Sequence, residues 1–123
     1  MFKSLKALTL MLTVSSCALA NAADNQLTQQ EKQAGWQLLF DGKDMSQWRN
    51  FKSESLNPAW VIEDGAMTLT KGGGDLLTKK QYQNFELQID WKISTKGNSG
   101  IFVLADETGQ MIYSHAPEIQ IID

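Results

Sequence analysis

A chain of 123 residues, 42% hydrophobic and 20% charged, has room for one globular domain and lacks the composition of a disordered tail. Its formal net charge is -3, and beyond residue 22 nine basic residues stand against 14 acidic ones, a balance that repels phosphate backbones and argues against nucleic acid as a partner. The single cysteine, Cys17, excludes an intrachain disulfide, so the fold must stand on its core.

Residues 1–22 read as an export signal. Lys3 and Lys6 precede the apolar run Ala7 to Val14, which is shorter than the roughly 20 residues a membrane span needs. Two processing routes stay open. Ala20-Asn21-Ala22 is a small-x-small cleavage site, and Val14-Ser15-Ser16-Cys17 resembles a lipoprotein box. The protein is therefore expected in the periplasm or secreted, with membrane association only if Cys17 is acylated.

Residues 23–34 form an N-terminal segment with a short helix. Thr28 and Glu31 have capping-box spacing, and Gly35 can end the helix. Residues 35–123 change character. Trp36 to Phe40 reads as a strand, and Asp44 to Trp48 as an irregular turn that tucks Trp48 against the body. Trp60 to Glu63 and Ala66 to Thr70 flank Asp64-Gly65, the signature of a tight hairpin. Lys71 to Asp75 contains three glycines but no Gly-Lys-Ser/Thr, so it reads as a flexible loop and not a phosphate loop. Leu76 to Thr78 is a short strand.

Asn84 to Ile93 has the clearest strand pattern. Phe85, Leu87, Ile89, Trp91 and Ile93 alternate with Glu86, Gln88, Asp90 and Lys92, which predicts one core face and one polar face. Lys96 to Gly100 reads as a tight loop, Ile101 to Ala105 as a buried strand, and Glu118 to Asp123 as a last strand. Short strands separated by turn signals predict an all-β sandwich. A sheet ended at Asp123 would leave an open edge, so the expectation is an incomplete, N-terminal half of that sandwich.

The candidate chemistry gathers on the last strand. Glu118 and Gln120 share its polar face, about 7 Å apart by strand rise. A carboxylate beside an amide suits a sugar site, although a plain solvated face has the same pattern. Asp123 has the parity of Ile119 and Ile121 and points away from Glu118 unless the strand end rotates it. Asn98 and Ser99 offer short donors and acceptors between Gly97 and Gly100. Asp90 and Lys92 share a polar face. Trp48 is the tryptophan placed for sugar stacking, whereas Trp36, Trp60 and Trp91 read as packing. His115 is the only histidine, which rules out a multi-histidine zinc site from this chain; with Glu118 it is a candidate metal ligand. No Gly-x-Ser-x-Gly and no Cys–His pair supports serine or cysteine hydrolase chemistry.

Four motifs in order carry a family resemblance. They are Gly35-Trp36 leading to Leu39-Phe40-Asp41-Gly42-Lys43 and Trp48; Trp60 to Gly65; Phe85 to Ile93 followed by Gly97-Asn98-Ser99-Gly100-Ile101-Phe102; and Pro117 to Asp123 as a Glu-x-Gln-x-x-Asp strand. Together they resemble the 3-keto-disaccharide hydrolase domain family. That resemblance implies a concanavalin-like jelly-roll sandwich and an enzyme acting on glycosides oxidised at C3. It implies Glu118 as base or metal ligand, Gln120, Asn98 and Ser99 as orienting groups, and Asp123 as support. A divalent metal ion is the one cofactor it brings into question. Many relatives carry an Arg just after the Asn-Ser-Gly-Ile-Phe motif, where this chain has Val103 and Leu104. Two other readings stand beside the enzyme: a non-catalytic carbohydrate-binding module, and a structural domain of a surface lipoprotein.

Overall fold

The computed structural model describes residues 23–123, so the export signal and Cys17 lie outside the described residues. Helix α1 spans Gln29–Gln33. Thr28 Oγ1 accepts from the Glu31 backbone N–H, and Glu31 Oε2 accepts from the Thr28 N–H at 2.7 Å, which completes the expected capping box. Gly35, at φ +90°, turns the chain out of the helix.

Six strands occur among the described residues: β1 (Trp48–Asn50), β2 (Trp60–Glu63), β3 (Ala66–Leu69), β4 (Leu76–Thr78), β5 (Asn98–Phe102) and β6 (Glu118–Ile122). They pair as three antiparallel ribbons: β1 with β4, β2 with β3, and β5 with β6. The β2–β3 hairpin forms at the expected place. Asp64 and Gly65 both adopt positive φ, +49° and +75°, and this twist matches the flanking strands.

Other expectations change. Trp36 to Phe40 forms no strand, and β1 begins at Trp48, where a turn was expected. The triple-glycine loop is pinned, not free: the buried Asn50 side chain donates to the carbonyls of Gly73 and Asp75. Gly73 is packed so closely that a Cβ would stand 2.7 Å from Leu69 and 2.9 Å from Ala59.

Residues 84–93 belong to no sheet among the described residues, despite their unbroken alternation. Phe85, Ile89 and Trp91 are 50%, 52% and 57% exposed, so Trp91 is not a core residue in this structure. Periodicity encodes a face to be buried, but a ladder also needs a partner strand, and none of β1–β6 supplies one. The buried apolar set among the described residues is small: Ala59, Ile112 and Ile121. Ile112 lies in a short 3-10 turn, Ile112–Ser114, inside the loop that joins β5 to β6.

Candidate functional site

The β5–β6 ribbon builds the candidate site. Its register pairs Phe102 with Glu118, Gly100 with Gln120 and Asn98 with Ile122. Side chains alternate between faces, so Asn98, Gly100, Glu118 and Gln120 share one face. The register thus joins Asn98 to the Glu118–Gln120 pair, as a strand residue and not as the loop residue expected.

Gly100 is the floor of this arrangement. A Cβ there would stand 2.7 Å from both Cγ and Cδ of Glu118, and closer still to Oε1. The Glu118 side chain therefore lies across the glycine, in space that no other residue leaves open. Among the described residues no hydrogen bond holds its carboxylate.

The amides beside it are ordered. Gln120 Nε2 donates to the Ser99 carbonyl at 2.9 Å and also to Asn98 Oδ1. A carbonyl only accepts, so the Ser99 contact fixes the nitrogen of Gln120 toward Ser99 and the oxygen of Asn98 toward Gln120. Asn98 Nδ2 and Gln120 Oε1 remain for a ligand. Ser99 contributes its backbone here, while its side chain belongs to the opposite parity.

Asp123 is not brought to Glu118. Its Oδ2 accepts from the Lys96 N–H at 2.9 Å, and its own N–H donates to the Gly97 carbonyl at 3.3 Å. These contacts latch the 94–97 turn, where Lys96 holds φ +59°. Asp90 and Lys92 lie on the unpaired segment, and neither enters an ion pair or hydrogen bond among the described residues. Trp48 donates its indole N–H to the Leu39 carbonyl at 2.8 Å, which pins it half-buried at the start of β1.

His115 forms a separate cluster in the β5–β6 loop. Its Nδ1 lies 3.0 Å from Asp106 Oδ1 and 2.9 Å from Thr108 Oγ1. Hydrogen bonds from Thr108, then from His115, hold the Asp106 carboxyl well below the usual carboxylate range. No group of three His, Cys, Asp or Glu residues suited to a metal ion occurs among the described residues. His115 bonds within the Asp106–Thr108 cluster, while Glu118 lies on the β5–β6 ribbon.

A second loop contact was not foreseen. Arg49 on β1 grips Glu107 through two hydrogen bonds of 2.7 Å, and Glu107 Oε1 also accepts from the Lys52 N–H at 2.6 Å. The Arg49 guanidinium, followed by the Lys52 N–H, lowers the Glu107 pKa to about 2. The same pair raises the pKa of Arg49. The clamp joins the β5–β6 loop to the β1 region. No local sequence signal links positions 58 residues apart.

Comparison with known proteins agrees with this architecture. Residues 35–123 match the model of the 3-keto-alpha-glucoside-1,2-lyase-like domain. A relative from Bacteroides thetaiotaomicron named 3-keto-disaccharide hydrolase is 36% identical, over 72% of this chain and 37% of its own length. A crystal structure from Parabacteroides distasonis, provisionally named a glycosyl hydrolase, superposes with a TM-score of 0.71 at 38% identity. It covers 82% of this chain and 48% of that one, and it supports the all-β sandwich class. The chain thus spans less than half the length of either relative. On the match of residues 35–123, the chain belongs to the 3-keto-alpha-glucoside-1,2-lyase-like domain family.

Proposed function

We propose that the protein is an exported glycoside-cleaving enzyme whose substrate is a 3-keto-glycoside, built on a concanavalin-like jelly roll. The observation that carries this reading is the Glu118 carboxylate laid across Gly100, next to the outward Asn98 amide. The names of the matching family and of the Bacteroides relative support the substrate class.

A ketone at C3 acidifies the proton on C2. The Glu118 carboxylate takes that proton, and the electron pair enters an enolate that spreads onto the C3 oxygen. In this reading Asn98 Nδ2 donates to the developing negative charge, and Gln120 Oε1 accepts from a sugar hydroxyl. Collapse of the enolate restores the C3 carbonyl, forms the C1–C2 double bond and breaks the C1–oxygen bond, and the departing oxygen takes back the proton that Glu118 now carries. Water then adds across the C1–C2 double bond, giving net hydrolysis. Asp123 acts at a distance by fixing the 94–97 turn against the end of β6. Lys3, Lys6 and the run from Ala7 to Val14 support export.

The test is release of free sugar from a 3-keto-disaccharide, with the unoxidised disaccharide as control and with and without chelator. Release confined to the keto-sugar supports the reading. Binding without release would instead indicate a carbohydrate-binding module.

A further inference from the structure

An open groove of about 500 Å³ lies between residues 50–58 and the glycine loop, away from the β5–β6 ribbon. Its walls are fixed. Asn50 is 8% exposed and has both ends of its amide engaged: Nδ2 donates to the Gly73 carbonyl at 2.6 Å, and Oδ1 accepts from the Asn57 N–H at 2.6 Å. Trp60 Nε1 donates to the Gly74 carbonyl at 2.9 Å. The groove is thus held before any ligand arrives, and its volume is within the usual range of small-molecule sites, about 300–1,000 Å³.

Its lining has a defined chemistry. Ser53 and Ser55 supply two hydroxyls that bond to each other at 3.2 Å, with Ser53 Oγ also accepting from the Ser55 N–H, and the Asp75 carboxylate makes no hydrogen bond among the described residues. Asn57 uses Oδ1 to cap the Ala59 N–H, which leaves its Nδ2 to donate. Phe51 adds an aromatic ring. No Lys or Arg is among the lining residues, although the Lys52 ammonium lies 5.8 Å from the centroid of the lining Phe51 ring; the one formal charge in the lining itself, Asp75, is negative and disfavours phosphates and carboxylates. Hydroxyls, an amide donor, a lone carboxylate and one ring together suit a ligand with several hydroxyls and an apolar C–H face.

We propose that this groove binds a neutral polyhydroxylated ligand of sugar-ring type, as a second site independent of Glu118. The proposal does not rest on the reaction above. The test is titration of the full ¹⁵N-labelled chain with maltose, following backbone amides of residues 53–57 and 72–75, with glucose 6-phosphate as the charged control. Saturable shifts at these amides are expected with maltose, and binding at least tenfold weaker with the phosphate. The maltose shifts should persist in Glu118→Gln and weaken at least tenfold in both Asp75→Ala and the groove-filling Ser55→Trp. Absence of saturable shifts, their loss in Glu118→Gln, or unchanged affinity in both groove variants would overturn the proposal. Loss of keto-sugar cleavage with intact maltose shifts would count against the reaction alone.

Discussion

Glu118 and Gly100 are diagonal neighbours on one face of the β5–β6 ribbon, and the glutamate side chain occupies the space where any other residue at position 100 would carry its Cβ. Gly100→Ala is therefore expected to push the carboxylate off the Asn98–Gln120 face. Glu118 is exposed, so the change should cost stability about 1 kcal/mol or less. Activity should fall far more, about 10²-fold, as expected when a reacting group is misplaced by an ångström. Steady-state rates beside thermal melts separate the two effects.

Asn50 is expected to be the most sensitive polar residue of the β1 region. Asn50→Ala strands the buried Gly73 carbonyl and the Asn57 N–H, at a cost of about 2–3 kcal/mol. Amide hydrogen exchange at residues 72–75 should accelerate in the variant. Unchanged protection there would contradict the clamp.

The Arg49–Glu107 contact makes stability depend on acid. The Glu107 pKa is about 2 in the folded chain, against an ordinary value of 4.5. Between those values the unfolded chain binds the proton more readily, so acid favours unfolding. The contact contributes fully above about pH 4.5 and is lost as pH falls through about 2. Its side chains are 16% and 34% exposed, so solvent screens part of the attraction and the stabilisation is about 1 kcal/mol. Glu107→Gln should lower the melting temperature at pH 7 and flatten its decline from pH 4.5 to 2.

Asp123→Ala should loosen the 94–97 turn without removing a reacting group. The expected outcome is faster exchange of the Lys96 amide and a modest loss of activity, about tenfold or less. That loss should be much smaller than for Glu118→Gln. Equal losses would place Asp123 in the reaction itself.

Features set by neighbouring residues were legible in the sequence. Thr28 with Glu31 fixed the helix start, and Asp64-Gly65 the hairpin, because each is a local contact. Strand parity alone put Glu118 and Gln120 on one face. What could not be read depends on partners distant in sequence. The role of Gly100 follows from the β5–β6 register, which no local pattern specifies. Asn98 read as a loop residue because glycines flank Asn98-Ser99, yet the turn closes at residues 94–97 through the Gly97 N–H to the Ser94 carbonyl, 2.7 Å. The 84–93 alternation predicts a strand with one core face, yet the segment is unpaired and its apolar side chains are exposed among the described residues, because alternation cannot name the strand that must pair with it.

In the proposed reaction Glu118 removes the proton on C2 of a 3-keto-glycoside. Its most direct measurement is exchange of that proton into deuterated water, followed by NMR in the wild type and in Glu118→Gln. Loss of a general base typically costs about 10²–10⁴-fold, and a fall of that size in both exchange and sugar release is predicted. Wild-type exchange rates in Glu118→Gln, with normal sugar release, would contradict the account.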